Sequence, residues 1–241
     1  MQLIVTYMRY TAVLSRVTAA VCFFLVLPLS IHAQCIDNIR ESAAKARAEG
    51  RKSISVPTPR PSWAVVSSLQ EAAKHEAILL VTIQDKQAKI SPDGTCINTW
   101  YRASVIANLG RKELPPVNQE LESVVPPELS GLTDNDILIR ISGGTLETDG
   151  VKAVAIETPV RFVVDKQYLI FASFQSTDDG QTQVRSAALN LGKTSVFSYE
   201  PATDEVTPLD PSSKNDSAFA RDVLTRSDGR LTRLKSLLRS K

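Results

Sequence analysis

The sequence predicts a mainly β protein, a barrel or sandwich of five to seven strands with short flanking helices. Short apolar or alternating segments recur through the middle of the 241-residue chain, and turn residues separate them. The strands do not alternate regularly with helical patterns, and no internal repeat is visible. These observations favour a barrel or sandwich over an alternating α/β fold.

Residues 1–33 have the layout of a secretory signal peptide. Arg9 and Arg16 are their only charges, an apolar stretch runs from Val17 to Leu29, and the small residue Ala33 stands at a suitable cleavage position. The apolar core is shorter than the roughly 20 residues needed to cross a bilayer, and an uncleaved membrane anchor is the alternative. We therefore expect cleavage near Ala33 and an exported protein, secreted or periplasmic.

The mature chain is predicted to be electrically neutral. The whole sequence has 28 basic and 26 acidic residues, and the leader removes two arginines and no acids, which leaves 26 of each. Nucleic-acid binding through an overall positive charge is therefore not expected.

Cys35 and Cys96 remain after Cys22 leaves with the leader. Two cysteines in an exported chain predict a disulfide, since the destination is oxidising, and two free thiols are the alternative. A metal site is not predicted, because His75 is the only mature histidine and no C-x-x-C pair is present. We expect no cofactor.

The mature N-terminus is predicted to be a helical extension and a linker, residues 34–62. Alanine and long charged residues favour a helix over residues 34–50, and Gly50 is a natural stop. The proline-spaced run Ser55–Ser62 is typical of a linker. The β-domain would then span residues 63–210, beginning near Trp63, and a basic helical tail would span 211–241.

Within the domain, the pattern predicts one helix and eight candidate strand segments, from which the barrel or sandwich of five to seven strands would be built. Serine capping and helix formers favour a helix over Ser67–His75. Proline and glycine favour a turn at Ser91–Gly94, and Asp179-Gly180 suits a hairpin. The predicted strands are Ala77–Gln84, the alternating segment 99–109, Asp136–Ser142, Val151–Glu157, Arg161–Asp165, Gln167–Phe174, Thr182–Ala188 and Ser195–Glu200.

The tail has an apolar stripe and a local basic excess. Residues 216–241 contain seven basic and three acidic residues, with leucines three to four positions apart after Gly229. We expect two short helices that pack back on the domain with solvated arginines outside. Contact with a membrane surface or an acidic partner is the alternative.

The catalytic inventory is small. His75 has no partner residues that would make it a base, and no G-x-S-x-G sequence surrounds a serine. The acidic pairs Asp134/Asp136, Asp178/Asp179 and Asp204/Glu205 all fall in turns, where aspartate bonds the local backbone. No catalytic, cofactor-binding or metal-binding residue is therefore predicted.

The glycine pair in "SGGTLETDG" follows a predicted strand, as a phosphate-binding loop would. No Lys-Ser/Thr follows Gly144, and the next element has a strand pattern, whereas phosphate loops lead into a helix. We therefore expect a loop or bulge that needs glycine dihedrals.

The order of "AILLVTIQD", "ILIRISGG" and "PVRFVVDKQYLIFASF" resembles a class of small exported bacterial β-domains, which are themselves similar to the OB-like barrel of the netrin/tissue-inhibitor-of-metalloproteases group. The resemblance spans about residues 67–199. It implies an OB-like or Greek-key barrel or sandwich of five to seven strands. The residues that carry it are Gly143, Gly144, Gly150, Pro159, Phe162, Tyr168, Leu169 and Phe171.

This chain departs from the family pattern in two places. Asp165-Lys166 stands where the family has a hairpin glycine, and Ile83-Gln84-Asp85 lacks the glycine expected after the first strand. In the inhibitors of that group an N-terminal cysteine amine chelates the zinc of the target. Cys35 would take that place only after cleavage behind Gln34.

These observations predict an exported, non-enzymatic binding or interaction protein whose partner is an unknown protein or envelope component. The alternatives are a secreted hydrolase that uses paired carboxylates, and an envelope structural component or protease inhibitor.

Overall fold

The computed structural model describes residues 38–58, 66–117, 125–129, 131–156, 160–176, 183–189 and 192–239. All of them belong to one compact unit, Cys35–Lys241. The helices are α1 (Ile39–Ala48), α2 (Leu69–His75), α3 (Ser213–Asp216), α4 (Ala218–Ser227) and α5 (Leu231–Arg239), with 3-10 turns at Pro127–Leu129 and Gly192–Ser195. The strands are β1 (Ser53–Val56), β2 (Ala77–Ile90), β3 (Ile97–Asn108), β4 (Asp136–Ser142), β5 (Gly144–Thr148), β6 (Val151–Ala155), β7 (Gln167–Ser176), β8 (Gln183–Ala188), β9 (Val196–Glu200) and β10 (Glu205–Pro208).

Five strands close into a barrel. Strand β2 pairs antiparallel with β3 on one side and β7 on the other, and β3 pairs antiparallel with β4. Strand β8 completes the ring, parallel to β4 and antiparallel to β7. This neighbour order, with one parallel pair, is that of a five-stranded Greek-key OB barrel. The predicted fold class is therefore confirmed.

Two additions surround the barrel. Strands β9 and β10 extend the sheet outward from β7. A separate three-stranded sheet has the order β1-β6-β5, in which β1 runs parallel to β6. Helix α1 packs on that sheet, where it buries Ile39, Ala43 and Ala46.

The apolar core lies on both sides of the barrel wall. The interior contains an aromatic trio in which the Phe162 ring centre lies 5.1 Å from that of Tyr101 and 4.9 Å from that of Tyr168. Outside, helices α2, α4 and α5 cover β2, β7 and β9. The ring of Phe219 on α4 meets that of Phe171 edge-on at 5.0 Å between centres. The tail helices therefore pack back on the domain.

Most predicted elements form, with shifted ends. Residues 177–182, including the predicted hairpin at Asp179-Gly180, lie outside the described residues. The prediction of a strand at Arg161–Asp165 is wrong: its residues join neither sheet, Val163 and Val164 are exposed, and Asp165 turns the chain at a φ of +65°. The linker prediction fails at Ser55 and Val56, which belong to β1. Strands β5 and β10 were not predicted.

The glycine pair is the junction of β4 and β5. Gly143 and Gly144 both have positive φ, at +101° and +139°. The Thr99 hydroxyl donates a 2.7 Å hydrogen bond to the Gly143 carbonyl, and a Cβ on Gly144 would lie closer than 3.0 Å to that hydroxyl. Glycine is therefore required both by the backbone conformation and by the close approach to β3. The expectation of a glycine loop holds for the junction, although a strand begins at once.

Candidate functional site

A concave site lies beside the barrel, where three separate parts of the chain meet. Helix α2, residues 109–112 after β3, and the tail helices enclose a cavity of about 500 Å³. Its apolar lining, which the three walls share and which we call the apolar floor, consists of Leu69, Ala73, Leu109, Leu237 and Leu238. We call this cavity the basic groove, because every charged residue that lines it is a cation.

The first wall is α2, which its own sequence positions. The Ser68 hydroxyl caps the helix by accepting from the Glu71 amide at 3.2 Å, and Leu69 and Ala72 are buried. The Asp222 carboxylate on α4 accepts a 2.7 Å hydrogen bond from the Leu69 amide. The start of α2 is therefore attached to α4, which leaves Gln70, Ala73 and Lys74 to face the groove.

The second wall is the segment that follows β3. The Leu109 amide donates to the Ile78 carbonyl at 2.8 Å. A Cβ on Gly110 would lie 3.1 Å from the Ile78 amide nitrogen, so only glycine passes comfortably this close to β2. The Asn108 side-chain amide donates a 2.6 Å hydrogen bond to the Lys112 carbonyl, and the Lys112 ammonium donates to the His75 carbonyl. This segment therefore places Arg111 and Lys112 at the groove.

The third wall is the helical tail. Helix α5 buries Leu231 and Leu234, and its first turn is capped from a distance. The Asp204 carboxylate, in the turn between β9 and β10, accepts from the Thr232 amide at 3.1 Å and from the Thr232 hydroxyl. These hydrogen bonds hold the pKa of Asp204 below its usual range. The tail thus presents Leu237 and Leu238 at a fixed position.

The groove carries concentrated positive charge. Lys74, Arg111, Lys112 and Arg226 line it, and an adjoining cavity of about 270 Å³ adds Lys235 and Arg239. Arg226 is paired with Asp222 at 2.7 Å, and Lys112 is bound to a carbonyl. Within the described part of the chain, the other four form no salt bridge, and no acidic residue is among those that line either cavity. The site therefore favours an anion with an apolar portion.

The groove does not coincide with the usual ligand face of OB barrels. That face lies over the second and third strands and their loops, where oligonucleotides and oligosaccharides bind. Here Trp100 and Leu138 from those strands are buried under Val125 and Leu129. The Lys89 ammonium holds the Val125 carbonyl at 3.0 Å, which fixes that cover. Within the described residues, the strand part of that face is therefore covered by the protein's own chain.

Among the carboxylates singled out in the sequence, Asp136 and Asp204 bind structural partners. Asp136 is buried and accepts from Arg102 at 2.6 Å and from the Thr133 amide and hydroxyl, both at 2.9 Å. Burial raises the pKa of Asp136, but these hydrogen bonds and the Arg102 charge outweigh it and lower the pKa. Asp134 is exposed and uses its carbonyl to accept from Arg185. None of these residues lines the groove.

The remaining predicted site residues serve the fold or lie outside the described part. Gly150 forms the β5–β6 turn with Asp149, and Phe162 and Tyr168 lie inside the barrel. Phe171 lies on the outer face of β7, the strand that also contains Tyr168, and packs under the helices outside the barrel. Cys35, Pro159, Asp178 and Asp179 are outside the described residues. His75 is exposed at the end of α2, and Glu205 begins β10.

The groove itself was not predicted. The sequence signals were the basic excess of the tail and the Arg111-Lys112 pair, but neither indicated that the two meet. Among the described residues, no group of three His, Cys, Asp or Glu side chains is placed to hold a metal ion. Within the same residues, no helix has the length and apolarity to span a membrane. A scan against protein-family models and a search of curated proteins both found no match for this chain.

Proposed function

We propose that this chain is an exported, non-enzymatic binding protein whose ligand occupies the basic groove. The observation that carries the proposal is the combination of an apolar floor with cations around it. A cavity of about 500 Å³ falls within the range of roughly 300 to 1,000 Å³ typical of small-molecule sites. Burying an apolar ligand portion supplies affinity, and charge complementarity supplies selectivity.

The structural use of the carboxylates supports binding over hydrolysis. A carboxylate pair that hydrolyses a glycosidic bond needs one acid with a raised pKa and two groups that face a common space. Asp136 and Asp204 instead have lowered pKa values, because each accepts several hydrogen bonds. The OB strand order is compatible with the netrin-like resemblance, but a fold does not define a function. Membership in that group stays a prediction, as do the envelope-component and inhibitor alternatives.

Binding of anilinonaphthalene sulfonate tests the proposal, since this fluorescent probe combines an apolar ring system with an anion. We expect saturable enhancement by the folded protein, with one probe per chain. Ala73→Phe places a large side chain in the groove, and Gln70→Trp does so from an exposed position with little risk to folding. Both variants should reduce probe binding at least fivefold by occupying the apolar space.

Ala44→Phe is the matched control, because Ala44 is exposed on α1 and does not line the groove. Near-ultraviolet circular dichroism must remain native, since loosely packed states also bind the probe. If the wild-type protein shows no saturable binding, or if both filled variants bind like the control, the groove is not a ligand site and the proposal fails.

Export is part of the proposal and rests on the leader. A basic start, an apolar core and a small residue at position 33 are the features that the export machinery reads. Expression in a bacterial host should give a periplasmic or secreted protein whose intact mass matches a chain that begins at Gln34. A cytosolic product that retains residues 1–33 would contradict it.

We also propose that Cys35 and Cys96 are linked. The Ile39 amide donates to the Gly94 carbonyl at 2.9 Å, so the start of α1 contacts the turn that leads to Cys96. Cys35 stands only three residues before Asn38, a span of at most about 11 Å. Such a bridge would stabilise the fold by about 4 kcal/mol in the chain-entropy account. Non-reducing intact mass should be two hydrogens lighter than the reduced mass, and alkylation of both thiols without reductant would refute the link.

A further inference from the structure

We propose that the ligand of the basic groove is a free single-chain amphiphile with a carboxylate or phosphate head group. The inference rests on the proposed function and adds the ligand class. It follows from the way the two adjoining cavities divide apolar and charged residues. The larger cavity has the leucine and alanine floor, and the smaller one is lined mainly by Asn108, Arg111, Lys235 and Arg239.

The two cavities adjoin each other. Both are lined by Leu109, Gly110, Arg111 and Leu238, and the proposal requires one molecule to extend across these shared residues from the larger cavity into the smaller. An alkyl chain on the apolar floor would place its head group among the side chains of Arg111, Lys235 and Arg239. Arginine binds carboxylate and phosphate through two parallel hydrogen bonds, which suits either head group. A neutral or cationic head group would gain nothing at this end.

The geometry favours a free amphiphile over a bilayer. A membrane-binding surface inserts protruding apolar side chains, whereas the leucines here line a concavity and are at least partly buried. The large apolar side chains that are exposed in the described part of the chain include Ile106, Ile156 and Val163, and none of them lines the groove. The enclosed volume also suits one chain better than a protein partner, which needs a contact of roughly 1,000 Å² or more.

Ligands that share one chain length but differ in head group separate the contribution of the alkyl chain to affinity from that of the head-group charge. Dodecanoate, dodecyl phosphate and dodecyltrimethylammonium, each below its micelle concentration, are titrated against the fluorescent probe and by calorimetry. We expect the two anions to bind at least tenfold more tightly than the cation. Acetate and inorganic phosphate, which lack the chain, should not displace the probe. Equal affinity for the cation, or displacement by the chainless anions, would overturn the assignment.

Variants then place the head group. Arg111→Gln and Arg239→Gln should each weaken dodecanoate about fivefold to tenfold, because each removes a charge-assisted hydrogen bond. Both side chains are exposed, which protects folding, and Arg40→Gln on α1 is a control outside the groove. The affinity of the Arg111→Gln and Arg239→Gln variants for dodecyltrimethylammonium should not fall. Identical dodecanoate affinities in all three variants would contradict the placement.

Two further experiments distinguish a free amphiphile from other anionic partners of the groove. Sedimentation with phosphatidylglycerol vesicles tests a bilayer source, and an acidic peptide labelled with a fluorophore tests a protein source. If either binds at the groove, as shown by loss in Arg111→Gln, while dodecanoate does not compete, the amphiphile proposal is wrong. Saturable probe binding that Gln70→Trp removes would still support a ligand site in that case. The two proposals can therefore fail separately.

Discussion

Replacing Gly144 by alanine should destabilise the protein more than the same change at another glycine with a positive φ. Two effects add at Gly144: a φ of +139°, which side chains rarely adopt, and overlap of the new Cβ with the Thr99 hydroxyl. Backbone strain of this kind costs about 1 to 3 kcal/mol, and repacking around a buried overlap costs about 1 to 3 kcal/mol more. We therefore expect a loss of about 2 to 6 kcal/mol.

Gly150→Ala supplies the matched control. Gly150 also has a positive φ, at +73°, but no atom lies within 4 Å of the position of its Cβ. Its substitution should cost only the left-handed conformation, about 1 kcal/mol. Urea unfolding, followed by the fluorescence of buried Trp100, measures all variants on one scale.

Thr99→Ala tests the overlap directly. It removes the hydroxyl that crowds Gly144 and also the hydrogen bond to the Gly143 carbonyl, a loss of about 1 kcal/mol. In the double variant the overlap is gone, so the combined loss should be smaller than the sum of the single losses by at least about 1 kcal/mol. Additive losses, or equal losses for Gly144→Ala and Gly150→Ala, would refute the reasoning.

Two further predictions concern the aspartates. Asp136→Asn should lower the free energy of unfolding by about 2 to 4 kcal/mol, since it removes a buried charge that Arg102 and Thr133 bind. Because folding lowers the pKa of Asp136, its contribution is complete above the unfolded value of about 3.9 and is lost as pH falls through the folded value. Urea midpoints of the two proteins should therefore differ by a constant amount from pH 5 to 7, and the difference should shrink as the pH falls below about 4; a difference that stays constant from pH 5 down to pH 2 would contradict this account. Asp204→Ala removes the cap of α5 at a cost of about 1 kcal/mol. Amide hydrogen exchange should therefore accelerate in residues 232–239 while the barrel stays protected. Unchanged exchange in residues 232–239 would argue against the capping role.

The barrel could be predicted because its strands have local signatures. The apolar run after Ala77 and the alternation around Trp100 belong to strands whose faces are buried against known neighbours. The same rule failed at Phe162-Val163-Val164, because only Phe162 enters the barrel and tertiary contacts place both valines outside. Strand β10 has four residues and ends in Pro208, so nothing local distinguishes it from a turn.

The groove could not be predicted for a different reason. It joins α2, residues 109–112 and α5, which are far apart in the sequence. Each part alone has an ordinary structural interpretation that involves no ligand site: a short capped helix, a turn after a strand, and a solvated basic helix. Their arrangement around the groove depends on Asp222 and Asp204, whose long-range hydrogen bonds cannot be read from the periodicity of the sequence.

The parallel pairing of β1 with β6 has a consequence for the order in which the protein is completed. The register aligns Ser53 with Lys152, so the ribosome makes 99 further residues before the first pair of partners can meet. At about 5 to 20 residues per second, that delay is roughly 5 to 20 s. During this time α1 can contact only the ends of β2 and β3, which supply Ala88, Ile90 and Ile97 to its apolar cluster. The burial of Ile39, Ala43 and Ala46 is therefore completed only after β6 has been synthesised.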